Sequence, residues 1–377
     1  MPKQLDAEVT VREILPDEER AVRDFLERNL NPIDGLFFSL GFGDALRSAR
    51  KQLGTSLVAE CEGRIVGSFS LKIVVYGSRR IGLIDAIVTD KRLRGRGIGK
   101  ALLDYALVWL DKKNCEIVCA TVDRFNSPSW NLFIHNGFSP YALMRQLRDL
   151  GLNFIRLWVT EFYILGGGTF FLKKIGDGDP LLKGAGESWH FLAAWFGFAL
   201  MLCVNAFRQG APLIVPFALG VAGLSIFAHE FGHRLAARRL GLATTFRIWD
   251  SGILFGSFLT ALGALYPSYG STYVKQVDWR YDPKRKETGL IYAAGPAVSL
   301  VLAALLWVSL PHLPNEWATF GRLGFVANYV MVLFNLIPIR AAGGFAWDGG
   351  KIYSWNKIAW ALLVVVLALL IVGDVLF

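Results

Sequence analysis

Charged and apolar residues are distributed unevenly, and their distribution divides the chain in two. Up to about Lys183, charged residues recur every few positions, whereas long uncharged runs dominate beyond Ser188. The segment between them, GDGDPLLKGAGES (Gly176–Ser188), is rich in Gly, Asp and Pro, a composition typical of a linker. The pattern predicts a first domain over residues 1–175, a linker over 176–187 and a membrane domain over 188–377.

The second part contains five apolar runs that approach or exceed the length needed to cross a bilayer, which is about 20 helical residues. They are Ser188–Phe207, Ala211–His233, Gly289–Leu310, Leu323–Ile339 and Ile358–Phe377. A sixth uncharged run, Ser251–Val274, is interrupted by Gly, Ser, Thr and Pro. It predicts a re-entrant or hairpin element, because irregular backbone at that depth must be buried in protein.

The first part alternates between strand-like and helix-like patterns. Residues 55–77 read as two strands joined by a tight turn at Glu62-Gly63, and residues 80–90 as a further strand. A glycine-rich loop and an amphipathic helix follow, then a strand over 115–123 and a helix that ends at Asn136-Gly137. We therefore expect a multi-domain chain, with an α/β mixed sheet followed by a polytopic α-helical membrane domain.

Composition and charge support a membrane location. The mean hydropathy is +0.40, and 19% of the residues are charged, which is low for a soluble protein. The formal net charge is +9. Basic residues follow the second apolar run or precede the third and fifth: Arg234, Arg238, Arg239, Arg247, Lys275, Arg280, Lys284, Arg285, Lys286, Lys351 and Lys357.

The positive-inside rule places these groups on the cytoplasmic side of a cell membrane, together with the first domain. The amino-terminal segment MPKQLDAEVTVREI lacks a hydrophobic signal region, which agrees with that placement. The opposite loops hold few charges beyond Arg208, Glu316 and Arg322. Nucleic-acid binding is the other meaning of a basic chain, but the basic residues follow the ends of apolar runs, so no nucleic-acid partner is expected.

The first chemical signal is the loop Arg94-Gly95-Arg96-Gly97-Ile98-Gly99, which lies between a strand and the helix that Lys100 enters. Free backbone N–H groups and the helix dipole at such a terminus bind phosphate groups. A tight turn without a ligand gives the same pattern. The loop resembles the acyl-CoA signature of the GNAT acetyltransferase family through Arg94, Gly97 and Gly99.

The segment NSPSWNLFIHNGF resembles the second motif of that family, and the resemblance covers about residues 8–175. It implies that acetyl-CoA lies on the loop amides, with Asn126 beside its pantetheine arm. The implied binding residues are Arg94, Gly95, Arg96, Gly97, Ile98, Gly99, Lys100 and Asn126. Phe133 stands where the family often has a tyrosine acid, and Asp85 where many members keep a base. Acetyl transfer and acetyl-CoA sensing therefore remain equal alternatives.

The second chemical signal is HEFGH. His229 and His233 are four residues apart, so on a helix they share a face and can reach one metal ion. Glu230 emerges beside them, as in the His-Glu-x-x-His arrangement of zinc metallopeptidases. Five residues with three fixed also recur by chance. However, ionisable groups are costly in lipid and are retained mostly for function.

A catalytic zinc usually takes three protein ligands and keeps one position open. His190 lies near the entry of the first run and His312 in an opposite loop, and the four cysteines show no metal-type pairing. A carboxylate on the histidine side remains as the candidate. Asp348 follows the fourth run on that side, where Pro338 ends the helix and glycines allow the chain to return.

Several motifs in order resemble the site-2 protease family of intramembrane zinc metallopeptidases, over about residues 188–377. They are His229–His233, Ala294–Pro296, Asn335-x-x-Pro338 and Asp348–Gly350. The resemblance implies that His229, His233 and Asp348 bind Zn²⁺, that Glu230 is the catalytic base, and that Asn335 contacts the substrate backbone or oxyanion. Ser299 replaces a frequent asparagine, and the gap before Asp348 exceeds the common one. The family's membrane-embedded strands are matched to residues 251–274, whose edge would pair with an unwound substrate.

These observations predict an intramembrane zinc protease that cleaves membrane proteins in or near their transmembrane segments, with a cytoplasmic domain that binds acetyl-CoA. Two rivals stay open. In one, the membrane half is a metal-binding transporter or an anchor for an acetyltransferase, although transporters tend to show related halves and no repeat is visible. In the other, the acetyltransferase is the main activity and the membrane half is degenerate, against which the intact His-Glu-x-x-His motif argues.

Overall fold

A computed structural model describes residues 9–30, 53–123, 127–160, 169–174, 186–208, 210, 215–267, 269–274, 285–338 and 347–376. Within the amino-terminal part, the strands are β1 (Thr10–Glu13), β2 (Gly54–Cys61), β3 (Arg64–Tyr76), β4 (Arg79–Thr89), β5 (Ile117–Asp123), β6 (Phe138–Pro140) and β7 (Thr169–Lys174). Its helices are α1 (Glu19–Asn29), α2 (Ile98–Lys112), α3 (Ser127–His135), α4 (Leu143–Leu150) and α5 (Asn153–Thr160).

The seven strands form one mixed sheet in the order β1-β2-β3-β4-β5-β7-β6. Neighbouring strands are antiparallel except β4 and β5, which run parallel. Their pairing extends only from Ile81–Ile117 to Ile84–Ala120, although β4 continues to Thr89. Beyond these four pairs the two strands no longer share a ladder. This opening lies at the carboxyl ends of both strands, next to the start of α2.

Helices cover both faces of this sheet. Gly82 faces α2, where an added Cβ would lie 2.6 Å from Leu110. Its neighbours Ile81 and Leu83 point the opposite way, because successive strand residues alternate. They join a buried cluster with Leu157 and other residues of α4 and α5. The predicted α/β mixed sheet is confirmed.

The carboxyl-terminal part is mainly helical. Its helices are α6 (Glu187–Arg208), α7 (Val215–Arg239), α8 (Asp250–Ala261), α9 (Arg285–Ser309), α10 (Asn315–Asn335), α11 (Gly349–Trp355) and α12 (Lys357–Leu376). Of these, α6, α7, α9, α10 and α12 are long and apolar enough to cross a membrane. Five spans were expected from the sequence, and five helices of sufficient length and hydropathy occur among the described residues.

The fourth span differs from its predicted bounds. Helix α10 begins at Asn315, eight residues before the expected Leu323, and ends at Asn335. Arg322 therefore lies inside the helix rather than in a loop. Its guanidinium forms an ion pair with Asp374 of α12. The sequence placed Arg322 in a loop because an unpaired charge is unfavourable in an apolar helix. The ion pair with Asp374 removes that objection.

The segment 251–274 also differs from prediction. Its first half belongs to helix α8, and only its end forms a strand, β9 (Gly270–Val274). The antiparallel partner of β9 is β8 (Thr244–Ile248), which precedes α8. The hairpin expected within 251–274 is thus a two-stranded ribbon whose strands flank a helix.

Candidate functional sites

His229 and His233 lie on one face of α7, and both are buried. Their ring centroids are 4.8 Å apart. The Nδ1 atom of His233 lies 2.8 Å from the backbone oxygen of Ile291, which can only accept a hydrogen bond. His233 Nδ1 therefore carries the proton, and a neutral ring leaves Nε2 as a free lone pair. Ser299 Oγ lies 3.0 Å from His229 Nδ1 and can accept the same bond.

Asp348 reaches the histidines from the start of α11. Its Oδ2 atom lies 3.3 Å from the Nε2 atoms of both His229 and His233. The residue is 1% exposed. Gly349 permits the approach, since a Cβ there would lie 2.4 Å from the backbone carbon of Leu336 at the end of α10. The order of the elements thus delivers a carboxylate to a histidine pair more than 100 residues away in sequence.

The three facing atoms fit a zinc ion. Two ligands at 2.0–2.1 Å from zinc, separated by a tetrahedral angle, lie about 3.3 Å apart. That is the distance between Asp348 Oδ2 and each Nε2 atom. In the described structure, Asp348 Oδ2 has no hydrogen-bond donor. Three electron-rich atoms buried together repel one another unless a cation lies among them.

Gly295 keeps the space beside these atoms open. A Cβ at Gly295 would lie 2.3 Å from His233 Nε2 and 2.9 Å from His229 Nε2. Any side chain at this position of α9 would therefore meet both nitrogen atoms that face Asp348. The next residue, Pro296, lacks an N–H group, so it donates no helical hydrogen bond to the carbonyl of Tyr292 one turn earlier.

Glu230 is buried beside the histidine pair and has a defined partner. The Thr272 hydroxyl of β9 donates a hydrogen bond to Glu230 Oε2. The backbone oxygen of Thr272 in turn accepts a bond of 2.8 Å from the Tyr292 hydroxyl of α9. Glu230 is thus positioned by the ribbon and by a second helix, not by α7 alone.

A cavity joins these residues, and its free space of about 20 Å³ is roughly enough for one water molecule. His229, Glu230, His233 and Asp348 line it, together with Asn335. Asn335 donates one hydrogen bond of 3.0 Å to Met331 within α10. Its second N–H and its oxygen remain for another partner, because an amide offers two donors. The five residues predicted from this half of the sequence therefore meet at one place.

The glycine-rich loop leads from β4 into α2, and the residues around it are exposed. Gly95 and Gly97 have φ angles of 78° and 88°, which favour glycine. Gly97 caps α2, so the amides of Ile98, Gly99 and Lys100 lie in the first turn, where helical N–H groups have no intrahelical partner. Arg94 and Arg96 are exposed beside them. A Cβ at Gly99 would lie 3.9 Å from Thr89, so this terminus lies beside the end of β4 that β5 no longer pairs with.

The remaining residues predicted for this site do not assemble a complete transferase centre. Asn126 lies outside the described residues. Phe133 is buried and packs edge-on against Phe138, with ring centroids 4.9 Å apart. Asp85 occupies a bulge in β4 and pairs with the buried Lys72, whose Nζ lies 2.9 Å from Oδ2. To act as a base, the Asp85 carboxylate would first have to break its ion pair with Lys72.

Tyr141 does not take the place of the missing tyrosine. It lies in the buried cluster on the α5 face of the sheet, away from the cluster that contains Phe133. Burial raises the pKa of its hydroxyl well above the ordinary value, and that hydroxyl donates to Asp149 at 3.2 Å. Among the described residues, the site offers phosphate-binding geometry, and neither Phe133 nor Tyr141 supplies a proton donor to it.

Sequence reasoning missed three residues that shape the candidate metal centre. Gly295 was seen only as part of a motif, and Ser299 only as a departure from one. Thr272 gave no signal, because its contact with Glu230 exists only after β9 folds against α7. His190, set aside as a ligand, instead lies 2.8 Å from an Arg247 nitrogen at the ribbon.

Two family models match the chain. The acetyltransferase (GNAT) family matches residues 19–138, and peptidase family M50 matches residues 217–316. A candidate zinc metalloprotease of Methanocaldococcus jannaschii is 29% identical over 156 residues, which are 40% of this chain and 76% of that protein. The candidate zinc metalloprotease Rip3 of Mycobacterium tuberculosis is 29% identical over 176 residues, 43% of this chain and 38% of that protein.

Solved structures similar to the amino-terminal part include a GNAT-family acetyltransferase from Streptococcus pneumoniae. It is 26% identical, has a TM-score of 0.31, and the match covers 35% of this chain and 85% of that one. Both resemblances inferred from sequence motifs, to the GNAT family and to a zinc peptidase family, are thus confirmed by independent family models.

The clearance at Gly295 gives a direct prediction. In the full-length protein, Gly295→Ala should reduce bound zinc from about one equivalent to near none, because the new methyl group would occupy the space between the ligand nitrogens. Zinc content can be measured by plasma mass spectrometry on monodisperse protein. Gly220→Ala is the matched control, since its Cβ would make an ordinary 3.4 Å contact with Phe320. A Gly295→Ala protein with full zinc content would contradict the assignment.

Proposed function

We propose that this chain, in which a GNAT acetyltransferase region precedes a peptidase M50 region, is an intramembrane zinc endopeptidase with an acetyl-CoA-binding domain. The observation that carries the proposal is the meeting of His229, His233 and Asp348 with Glu230 beside them. His229, Glu230 and His233 belong to α7, which is long enough to span a bilayer. The substrates are membrane proteins, cleaved in or near a transmembrane segment.

His229, His233 and Asp348 would hold Zn²⁺. The bound ion supplies Lewis acidity, which polarises the scissile carbonyl and makes water more acidic. Glu230 takes the proton from the attacking water and passes it to the departing amine. Thr272 holds the carboxylate of Glu230 in place. Asn335, in the wall of the same cavity, binds the peptide backbone next to the scissile bond.

The substrate enters as extended chain, because helical peptide bonds are shielded by their own hydrogen bonds. The β8–β9 ribbon borders the cavity through Phe246, Gly270 and Ser271 and is the proposed docking edge. Side chains of α6 occupy the outer edge of β8: Glu187 accepts the N–H of Phe246, and His190 lies 2.8 Å from an Arg247 nitrogen. Strand addition there requires Glu187 and His190 to move away from the edge.

The proposed orientation puts the amino-terminal region and the metal end of α7 on the cytoplasmic side. Arg234, Arg238 and Arg239 follow His233 in the last turns of that helix, as the positive-inside rule requires. Acetyl-CoA binds at the loop before α2. Buried Phe133 and the Asp85–Lys72 pair favour a binding role, through which acetyl-CoA level regulates proteolysis.

The base is tested by Glu230→Gln. The amide cannot accept the proton, so cleavage of a single-span model substrate should fall about 10²- to 10⁴-fold, while zinc content stays unchanged. Full-length protein in lipid nanodiscs is assayed for product by gel and mass spectrometry. Glu316→Gln, at the start of α10, is the control and should keep full activity. Undiminished cleavage by Glu230→Gln would contradict the proposed function.

The positioning role of Thr272 is tested separately. Thr272→Val keeps the side-chain shape but removes the hydroxyl that donates to Glu230. We expect kcat to fall roughly ten- to hundredfold, with KM and zinc content little changed. Thr272→Ser, which restores the donor, should recover most of kcat. Equal losses in the valine and serine variants would show that the hydroxyl has no such role.

Acetyl-CoA binding is tested by isothermal titration of the full-length protein in detergent micelles. Arg94→Gln with Arg96→Gln should weaken binding about tenfold, because two cations beside the phosphate-binding amides are lost. Arg64→Gln, at the β2–β3 turn, is the matched control and should leave binding unchanged. Absence of any binding heat with the unaltered protein would remove the acetyl-CoA role and leave the protease untouched.

A further inference from the structure

Helices α4 and α5 belong to the sheet domain and not to the membrane helices, yet both expose large apolar side chains as well as burying some. Their inner face is buried against the sheet through Leu150, Phe154, Leu157 and Trp158. Four exposed apolar side chains lie on the two helices and a fifth, Leu152, in the turn between them: Met144 (71% exposed), Leu147 (40%), Leu152 (76%), Ile155 (46%) and Val159 (59%). We refer to these five residues as the α4–α5 face.

The contrast with α1 shows that this exposure is specific. Helix α1 buries Val22, Phe25 and Leu26 on the same domain, yet its exposed positions are mainly charged, as at Glu19 and Asp24. Contiguous exposed apolar side chains mark an interaction site more often than scattered ones do.

Charge distinguishes among the possible occupants of the α4–α5 face. Within residues 143–160 there are three arginines and one carboxylate, Asp149. Arg148 and Arg156 are exposed among the apolar residues. Asp149 is mostly buried: it accepts the Tyr141 hydroxyl at 3.2 Å and pairs with Arg145 at 3.5 Å and with Arg148 at 3.4 Å, while the Arg148 side chain itself stays 70% exposed. One carboxylate shared by two arginines leaves the segment with a net positive charge. Apolar side chains interleaved with arginines suit a surface that offers acyl chains and anionic headgroups together.

The covalent connection keeps this face near such a surface. Twelve residues separate the end of β7 at Lys174 from the start of α6 at Glu187. Even fully extended, they span no more than about 45 Å. The domain therefore stays at a high effective concentration beside the bilayer that α6 enters, so a weak affinity is sufficient for docking.

We propose that the α4–α5 face docks on the anionic cytoplasmic leaflet of the membrane, with its apolar side chains among the acyl chains and Arg148 and Arg156 at the headgroups. The proposal rests on the membrane placement in the proposed function. Docking fixes which side of the sheet faces the bilayer, and it leaves α2, on the opposite face of the sheet, directed toward the cytoplasm. The acetyl-CoA loop before α2 thus stays open to solvent.

The test is photocrosslinking from single positions in the full-length protein. A benzophenone amino acid is placed at Leu152, and the protein is reconstituted in nanodiscs of phosphatidylcholine with phosphatidylglycerol. After irradiation, mass spectrometry identifies the adduct. The matched control position is Val108, which is 56% exposed on α2. We expect lipid adducts at Leu152 to exceed those at Val108 about tenfold, and to fall in pure phosphatidylcholine or with Arg148→Gln and Arg156→Gln.

A third position, Phe196, distinguishes failure of the docking proposal from failure of the membrane placement. Phe196 is 58% exposed on α6 and should label acyl chains in any lipid. Lipid adducts at Phe196 but not at Leu152 would overturn the docking proposal alone. No lipid adduct at Phe196 would overturn the membrane placement itself. Adducts from Leu152 to a second copy of the chain, or to another segment of the same chain, would assign the face to that occupant instead and also overturn the proposal.

Discussion

Three electron-rich atoms converge in the interior of the helical region, and the surrounding structure depends on that convergence. Asp348 Oδ2 lies 3.3 Å from the Nε2 atoms of His229 and His233. Burial removes the water that would otherwise screen them, so the arrangement is stable only around a cation. This requirement explains why the proton of His233 is held at Nδ1 by the Ile291 carbonyl, and why no side chain projects from Gly295.

Close helix packing is what brings these groups together. A Cβ at Gly232 of α7 would lie 2.6 Å from the Ala294 oxygen of α9, and one at Gly349 would meet the backbone at the end of α10. Glycine inside a helix costs about 1 kcal/mol relative to alanine. Glycine is nevertheless required at both positions, because a methyl group at either would push apart the helices that carry the candidate metal ligands. The glycines of these motifs thus act through backbone distance rather than through chemistry of their own.

Much of this arrangement follows from sequence, and the exceptions share a cause. Local spacing predicted that His229 and His233 share a face, and the expected span order predicted that Asp348 lies on the same side; the structure brings the three residues together. The predicted start of α10 was wrong because a charged residue such as Arg322 is expected in a loop, and the sequence does not show that Asp374 pairs with it. The hairpin predicted within residues 251–274 was wrong because β9 pairs with β8, which lies before helix α8 in the chain. Thr272 and Ser299 could not be predicted, since their roles arise from contacts between distant elements.

Zinc coordination by His229, His233 and Asp348 is tested most directly by X-ray absorption at the zinc edge of the purified full-length protein. We expect four light-atom ligands at about 2.0–2.1 Å, with multiple scattering from two imidazoles, and loss of one oxygen ligand in Asp348→Ala. Sulfur ligands at about 2.3 Å, a third imidazole, or a ligand set unaltered by Asp348→Ala would contradict it.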